Sequence, residues 1–181
     1  MMRSSGFSLL ELLVVMAIAA ILVGAAIPSY RQFMLSTQRS EASTSLYGAL
    51  LHARSEAIKR NRTVIVCRRD FYDNSDPPPC DEDADGTWDE GWITFVPADG
   101  AWSGNEPTTA GEVIAVGNPV GGSIDISETL GNPAYLSFSP GGRVSDTASF
   151  TVCAAGRSDG REIRMTLSGY MALREVNTCP G

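Results

Sequence analysis

Residues 6–28 read GFSLLELLVVMAIAAILVGAAIP, and this stretch decides the class of the protein. From Phe7 to Ile27 the chain is apolar except for Ser8 and Glu11. As a helix, such a stretch spans roughly 30 Å, which is the thickness of the hydrocarbon core of a bilayer. The six residues before it form a short leader with one positive charge.

The place of the small residue next to this run is unusual. In an ordinary secretory signal peptide, the small-residue cleavage site follows the apolar region. Here Gly6 comes before the apolar run. Cleavage between Gly6 and Phe7 would leave the hydrophobic segment on the mature protein. We therefore predict that residues 1–6 are a leader peptide and that residues 7–28 form a transmembrane or assembly helix.

Glu11 is the one acid within the apolar run. A carboxylate inside a membrane span costs at least about 2.5 kcal/mol, so its presence indicates a function. Two interpretations stay open. The carboxylate can lie at the membrane interface, where the N-terminal end of the helix dipole favours an anion. Alternatively, after cleavage Glu11 is the fifth residue and can neutralise the α-amino group of a neighbouring subunit within the apolar core of a filament.

The run from Gly6 to Ile18 resembles the class III leader and N-terminal helix of type IV pilins and type II secretion pseudopilins. The resemblance implies that a prepilin peptidase cuts after Gly6 and methylates Phe7, and that Glu11 supports subunit assembly. It also implies a single-pass inner-membrane protein with a periplasmic head, which later joins a pilus or pseudopilus. Pro28 lies where the family often has a proline that kinks the helix. Proline has this effect because it lacks a backbone N–H.

The helical pattern continues over residues 29–61 as an amphipathic helix that enters the head. Ser55 and Glu56 are expected on its polar face, and basic residues at 59–62 mark its end, where cations suit the helix dipole. The small side chains of the apolar stripe predict close packing against a sheet. The stripe consists of Ala42, Leu46, Ala49, Leu50, Ala53 and Ala57.

Residues 62–181 are predicted to form a β-rich head. Turn residues bound eight short β-like runs, at 63–68, 92–96, 113–116, 123–126, 135–138, 150–154, 163–167 and 170–174. The run at 92–96 is interpreted as alternating. Gly160-Arg161 and Ser168-Gly169 are typical of hairpin turns. One long helix followed by short strands predicts an α+β fold with antiparallel sheets.

The four cysteines, Cys67, Cys80, Cys153 and Cys179, are even in number and show no CxxC spacing. On an exported chain they predict two disulfides. Four cysteines allow three pairings. We favour Cys67–Cys80 with Cys153–Cys179, since the members of each pair are near in sequence and each bond would clamp a loop or tail beside a strand.

The head resembles the GspH/FimT/FimU group of minor pilins and pseudopilins. The resemblance lies in residues 53–62, 91–95, 138–142 and 150–153. It implies a low-abundance tip or priming subunit of a type IV pilus, whose partners are other pilins, the prepilin peptidase and the inner-membrane assembly machinery. A minor pseudopilin of a type II secretion system is the alternative. The paired cysteines near the first head strand and the C-terminus look more like the pilus-type members.

DNA uptake is a further alternative, since some FimT-like subunits bind DNA through arginines near the C-terminal hairpin. Here the candidates are Arg157, Arg161, Arg164 and Arg174. The net charge of −7 argues against a general polyanion-binding surface. Three arginines near one another neutralise about three phosphates, which gives weak, salt-sensitive binding. DNA is therefore not an expected partner.

An acidic stretch suggests one metal site. Residues 81–86 read DEDADG, which matches the first half of an EF-hand calcium loop. The candidate ligands are Asp81, Asp83, Asp85 and Asp89, although Trp92 occupies the twelfth position, where a bidentate acid is expected. The other interpretation is a solvated acidic loop. Beyond this calcium we expect no cofactor, and His52 belongs to no catalytic pattern, so we expect no enzyme.

Overall fold

The computed structural model describes residues 8–70, 73, 75, 76, 78–81, 87–98, 111–130 and 135–179, apart from the side chains of residues 25, 26 and 28. It consists of one long helix and a head with two antiparallel β-sheets. The predicted α+β architecture is confirmed.

Helix α1 spans Leu9–Arg60, and its 52 residues extend about 78 Å at 1.5 Å per residue. Ser8 caps its N-terminus, because the Ser8 hydroxyl accepts a hydrogen bond from the backbone N–H of Glu11. Phe7, the predicted first residue, lies outside the described residues. The helix ends at Arg60, as predicted, because Asn61 adopts a left-handed conformation with φ of 51°. Asparagine tolerates that conformation better than most residues.

The head contains eight described strands in two sheets. The strands are β1 Val64–Arg68, β2 Trp92–Val96, β3 Glu112–Val116, β4 Ile124–Glu128, β5 Tyr135–Phe138, β6 Ala148–Ala154, β7 Gly160–Met165 and β8 Met171–Val176. The first sheet has the order β3-β2-β1-β5, and the second has the order β4-β6-β7-β8. Every described pairing is antiparallel. The second sheet is a meander from β6 to β8, so its register follows from two tight turns.

The apolar stripe of α1 packs on both sheets at once. Leu46, Leu50, Ala53 and Ala57 are fully buried, and Ala42 is nearly so. They share one cluster with Val64 and Val66 of β1, with Phe138 of β5, and with Phe150, Val152 and Ile163 of the second sheet. The alanines let the helix backbone lie close to the strands, as the sequence predicted. Trp88 completes this core with its ring edge against Phe150, at a centroid distance of 4.8 Å.

Glu56 does not lie on the polar face, where it was predicted. Its carboxylate is buried against the head and accepts hydrogen bonds from Arg60 at 2.6 Å and Lys59 at 3.3 Å. The Arg60 hydrogen bond, followed by the one from Lys59, lowers the pKa of Glu56 against the opposing effect of burial. Arg60 also donates to Glu112 of β3 at 2.7 Å, so the last turn of α1 is bound to the edge of the first sheet.

All five residues of β2 are buried. The first sheet is covered on both faces. One face contacts α1, and the other contributes Ile65, Cys67, Ile93 and Phe95 to a second small core. Cys80 joins this core through the Cys67–Cys80 disulfide. Thr94, the one polar residue of β2, is buried with the others.

The prediction of a hairpin turn at Gly160-Arg161 is also wrong, because both residues belong to β7. The turn between β6 and β7 lies earlier, where the backbone N–H of Arg157 bonds to the carbonyl of Ala154 at 3.1 Å. Gly160 is instead needed for close packing, since a Cβ there would overlap the Cys179 sulfur of the Cys153–Cys179 disulfide. The predicted turn at Ser168-Gly169 is confirmed, with a φ of 77° at Gly169.

Adjacent leucines of α1 test the packing of the helix on the head. We expect Leu50→Ala to lower the free energy of unfolding by about 2–5 kcal/mol, because it opens a cavity beneath a fully buried side chain. Leu51→Ala, whose leucine is 40% exposed, is the matched control and should cost less than about 1 kcal/mol. Urea denaturation of the full chain in detergent measures both values. Equal losses would contradict the orientation of α1.

Candidate assembly site

The described side chains in the first half of α1 are not covered by the rest of the described chain. Every described side chain from Ser8 to Gly24 is exposed. The large apolar ones are 50–78% exposed, and Leu9 is the most exposed of them. This half is long and apolar enough to cross a membrane. Apolar surface of this extent needs an apolar environment, which is either lipid or the same segment of other subunits.

Glu11 lies in the first turn of this exposed half. The Ser8 hydroxyl accepts the Glu11 N–H at 3.3 Å, and the Ser8 carbonyl accepts the Leu12 N–H at 3.2 Å. The carboxylate therefore lies at the positive end of the helix dipole. It forms no ion pair with any residue that the structure describes. A cationic partner for Glu11 would have to come from outside the described part of the chain.

The remaining residues predicted to act in processing and assembly are Gly6, Phe7 and Pro28. Gly6 and Phe7 lie outside the described residues. The backbone at Pro28 is helical, and α1 is continuous through it. The roles of all three residues stay predictions.

A group of charged residues binds α1 to the head at the point where the helix becomes buried. The first buried side chain along α1 is Arg39, which is 6% exposed. Its guanidinium donates to the Asp159 carbonyl at 2.6 Å and forms an ion pair with the Asp159 carboxylate. Arg157 donates to the same carboxylate at 2.8 Å. Since Asp159 precedes β7, the turn between β6 and β7 is held against the helix.

A second carboxylate extends this group to β8. Glu175 accepts a hydrogen bond from Arg161 at 2.7 Å and lies 3.8 Å from Arg39. Arg161 also donates to the Ser40 hydroxyl at 2.9 Å. We call Arg39, Arg157, Asp159, Arg161 and Glu175 the collar. The Arg157 hydrogen bond, followed by the Arg39 hydrogen bond, holds the pKa of Asp159 well below its usual range. Asp159 therefore stays ionised at neutral pH.

Sequence reasoning missed Arg39 and Asp159, although a signal for Arg39 was present. Arg39 comes three residues before Ala42 and seven before Leu46, so it continues the apolar stripe. A charged residue on a buried helix face requires a partner of opposite charge. No comparable signal marks Asp159, because its partner is 120 residues away in the sequence.

The four arginines proposed for DNA binding are mostly paired within the head. Arg157 and Arg161 bind the collar acids, and Arg174 is paired with Glu162 across β7 and β8. Of these four, Arg164 alone forms no hydrogen bond or ion pair with a residue that the structure describes. One such guanidinium gives little affinity for a phosphate backbone. The geometry therefore does not favour the DNA alternative.

The proposed calcium ligands are only partly described. Asp81 lies 3.5 Å from Arg68 in a buried ion pair, and Asp89 belongs to a short 3₁₀ helix, Trp88–Glu90. Asp83 and Asp85 lie outside the described residues. Within the part of the chain that the structure describes, no three acids, histidines or cysteines come together as a metal site. Calcium binding stays a prediction. The ion pair with Arg68 does not support it, because it engages the Asp81 carboxylate that would bind the ion.

Comparison with known families assigns this chain to a family. A family model described as type II transport protein GspH matches residues 42–169, which is most of the chain. The chain belongs to the GspH family. A second model, the prokaryotic N-terminal methylation motif, matches residues 1–27 and so contains Gly6, Phe7 and Glu11. This GspH-family protein is therefore a minor pilin or pseudopilin with a membrane-anchoring N-terminal segment.

Solved structures of two such subunits share its fold. The type IV minor pilin FimU of Pseudomonas aeruginosa is 18% identical with a TM-score of 0.57, covering 82% of this chain and 99% of its own. The minor pseudopilin EpsH of the type 2 secretion system of Vibrio cholerae is 16% identical with a TM-score of 0.51, covering 76% of this chain and 96% of its own. No curated protein sequence matches the chain significantly.

The collar gives a pH-dependent prediction. We expect Asp159→Asn to lower the free energy of unfolding at pH 7 by about 1–2 kcal/mol, because Arg39 loses its charged partner. Since folding lowers the pKa of Asp159, its stabilising effect is complete above the unfolded-state pKa of about 4 and is lost as the pH falls further. The difference between wild type and variant should therefore shrink at pH 3.

Urea denaturation of the full chain in detergent at pH 7 and pH 3 measures this difference. The control is Glu112→Gln, which removes a mainly exposed ion pair and should cost less than about 0.5 kcal/mol. An Asp159→Asn effect that is as small as the control, or that is unchanged at pH 3, would contradict the role of the collar.

Proposed function

We propose that the protein is a minor pilin of a type IV pilus, which takes part in pilus assembly as a priming or tip subunit after its leader is removed. The observation that carries the proposal is the division of α1. Its first half is apolar and exposed, and its second half is buried in the head. Such a helix is suited to transfer from lipid into the core of a filament, because both environments cover the same apolar surface.

The assembly mechanism follows from the position of Glu11. Cleavage after Gly6 would create an α-amino group four residues before Glu11. When neighbouring helices pack side by side, the carboxylate of one subunit can neutralise the amino group of the next. Within an apolar bundle this pairing is selective, because leaving either charge unpaired costs several kcal/mol. The pair would therefore set the axial register of neighbouring helices.

The collar would couple the head to this mechanism by holding α1 in place. Axial register is transmitted from α1 to the head only if the helix does not slide or rotate in its groove. Arg39 opposes such movement, since it binds the β6–β7 turn and lies near Glu175 of β8. Arg39 lies where burial of α1 begins. It therefore marks the boundary between the exposed apolar half of the helix and the half that packs in the head.

One feature supports a pilus over a secretion pseudopilus. The disulfides Cys67–Cys80 and Cys153–Cys179 lie near the first head strand and the C-terminus, which resembles the pilus-type members. A minor pseudopilin remains the competing function, and the experiments below separate the two.

The proposal predicts a defined N-terminus. In cells that contain the prepilin peptidase, intact-mass analysis of the membrane-extracted chain should give a protein that begins with methylated Phe7. Cells that lack the peptidase should give only the uncut chain. Cleavage elsewhere, beyond Ile27 for example, would be incompatible with a pilin and would indicate an ordinary secreted or anchored domain.

Replacing the carboxylate tests assembly separately from processing. We expect Glu11→Gln to leave cleavage after Gly6 intact and to lower incorporation into purified filaments by at least about tenfold, because the neighbouring amino group then stays unpaired. Surface pili and secreted proteins are measured in the same strains, with Glu11→Asp as the charge-conserving control. Loss of pili with normal secretion is expected. Loss of secretion with normal pili would instead identify a pseudopilin.

A further inference from the structure

The second sheet has a free edge at its last strand. β8 ends the strand order β4-β6-β7-β8 and is paired on one side only, with β7. The hairpin turn decides which backbone groups face outward, because the Thr166 N–H donates to the Tyr170 carbonyl at 3.1 Å. Hydrogen-bonded and non-hydrogen-bonded pairs alternate along an antiparallel ladder. The N–H and C=O groups that point away from β7 therefore belong to Met171, Leu173 and Glu175.

The other described sheet edges carry features that oppose pairing with a further strand. β5 is covered, since the Ser145 N–H donates to the Ser137 carbonyl at 3.0 Å. β3 pairs with β2 through a register shift, and β4 carries Asp125 and Glu128. β8 instead keeps a regular register with β7 over its six residues, MALREV, which include no proline. A regular edge of this length is a surface on which another strand can pair.

The two charged residues of β8 do not block its edge. Arg174 forms an ion pair with Glu162, and Glu175 forms one with Arg161. Both charges are therefore neutralised within the sheet itself. A strand that covers this edge would leave neither of them buried without a partner of opposite charge.

An unpaired cation lies next to this edge. Arg164 is exposed on β7 and lies directly opposite Ala172 of β8. It forms no hydrogen bond or ion pair with a residue that the structure describes. Because the alanine side chain ends at Cβ, Arg164 has room to extend across β8 toward an added strand, whose backbone would lie about 10 Å from that of β7. A carboxylate on the added strand would complete the ion pair.

Apolar side chains border the edge on the side of α1. Leu173 is half-buried and packs against the main core. Leu51 is 40% exposed and lies on the same flank of α1 as Arg54, which donates to the Ser168 carbonyl in the β7–β8 turn. Inward side chains of an added strand would cover Leu173 and Leu51.

β8 runs nearly along the axis of α1. Near one end of β8, the Glu175 carboxylate lies 3.8 Å from the Arg39 guanidinium. Near the other end, Arg54 donates to the Ser168 carbonyl at 3.4 Å. The stretch of α1 from Arg39 to Arg54 spans about 22 Å. The chain from Ser168 to Glu175 spans about 23 Å when extended, so the two elements are close to antiparallel.

This orientation determines the kind of partner. Antiparallel pairing of two β8 strands would point the α1 helices of two copies in opposite directions, and their apolar halves could not enter one membrane or one helical bundle. A second copy also offers no free carboxylate at this edge, since Glu162 and Glu175 are already paired. A subunit of the same fold but different sequence can present an aligned edge strand with a free acid.

We infer that β8 pairs with an edge strand of a different pilin-type subunit, and that a carboxylate on that strand binds Arg164. This inference rests on the proposed function, because parallel assembly of the α1 helices brings two heads side by side. Backbone hydrogen bonds would supply the affinity, whereas Arg164 and the two leucines would select the partner. A low-abundance subunit would thereby be joined to one defined neighbour.

Photo-crosslinking of the full chain in cells identifies the strand beside β8. A photoreactive phenylalanine derivative replaces Tyr170, which is 64% exposed and immediately precedes β8. We expect a covalent complex with one other protein that has a pilin-type N-terminal segment, joined through a peptide that contains an acid. The control places the derivative at Ser127, an exposed residue of β4 at the opposite edge, and should give at least tenfold less complex.

Two substitutions at one position separate backbone pairing from side-chain packing. Leu173→Ala and Leu173→Pro both remove the leucine, but only proline also removes the outward N–H, while the hydrogen bonds of β8 to β7 are kept. We expect the proline variant to give at least tenfold less complex than the alanine variant. Disulfide formation and protein level show whether each variant folds. If the proline variant does not fold, the charge reversal at Arg164 decides.

Charge reversal at Arg164 tests how the partner is selected. Arg164→Glu should lower the crosslinking yield roughly threefold, which is typical of an exposed ion pair. Replacing the acid of the crosslinked peptide by lysine should then restore the yield. The control is Arg143→Glu, which changes the net charge equally but lies in the cleft beside β5, and it should leave the yield unchanged.

Several outcomes would overturn the inference. These are a Tyr170 yield no higher than the Ser127 yield, a complex only between two copies of this chain, equal yields for the folded Leu173 variants, or an Arg164→Glu yield that equals wild type or is not restored. Processing after Gly6 is measured by intact mass in the same cells. Normal processing with any of these outcomes removes only the edge contact, whereas failed processing removes the proposed function itself.

Discussion

The buried face of α1 contacts both sheets of the head, and the inner face of each sheet is covered by that contact. Leu46 and Leu50 lie in one cluster with residues from β1, β5, β6 and β7. Burying a leucine contributes about 1.5–3 kcal/mol, while the neighbouring alanines contribute mainly by allowing a close approach. Neither sheet covers its own apolar inner face. The head therefore depends on the second half of α1 for its core, while the first half of the same helix is exposed.

This arrangement links stability to assembly. The helix is continuous from Leu9 to Arg60, so the head and the exposed apolar half share one rigid element. The collar lies at the transition, where Arg39 is the first buried residue. The β6–β7 turn supplies a carbonyl and a carboxylate to one terminal nitrogen of the buried Arg39 guanidinium, while its Nε has no hydrogen-bond partner among the described residues. The interaction that pairs Arg39 with the turn also positions the head on the helix.

The two disulfides reinforce regions that the helix does not hold directly. Cys67–Cys80 spans 13 residues and joins the small core on the outer face of the first sheet. Cys153–Cys179 spans 26 residues and fastens the C-terminal segment beside the collar turn. In the chain-entropy model, loops of these lengths contribute about 3 kcal/mol each. In an oxidising environment, both bonds would stabilise a small head with two cores.

The sequence by itself determined the parts of this protein that rest on local patterns. The apolar run with Glu11, the alanine-rich stripe and the end of α1 at Arg60 follow from hydrophobicity and helical periodicity, and the eight strands follow from turn residues and β-branched runs. The favoured disulfide pairing is present, because cysteines near in sequence lay beside neighbouring strands.

Tertiary structure alone decided which faces are covered and which charges meet. β2 is buried on both sides, Glu56 is turned inward, and the β6–β7 turn is displaced from Gly160, because each depends on residues distant in the sequence. Asp159 joins Arg39 across 120 residues, and Arg54 joins α1 to the β5–β6 connection and the β7–β8 turn. Periodicity reports what each segment prefers to bury, but only packing determines the surface that it is buried against.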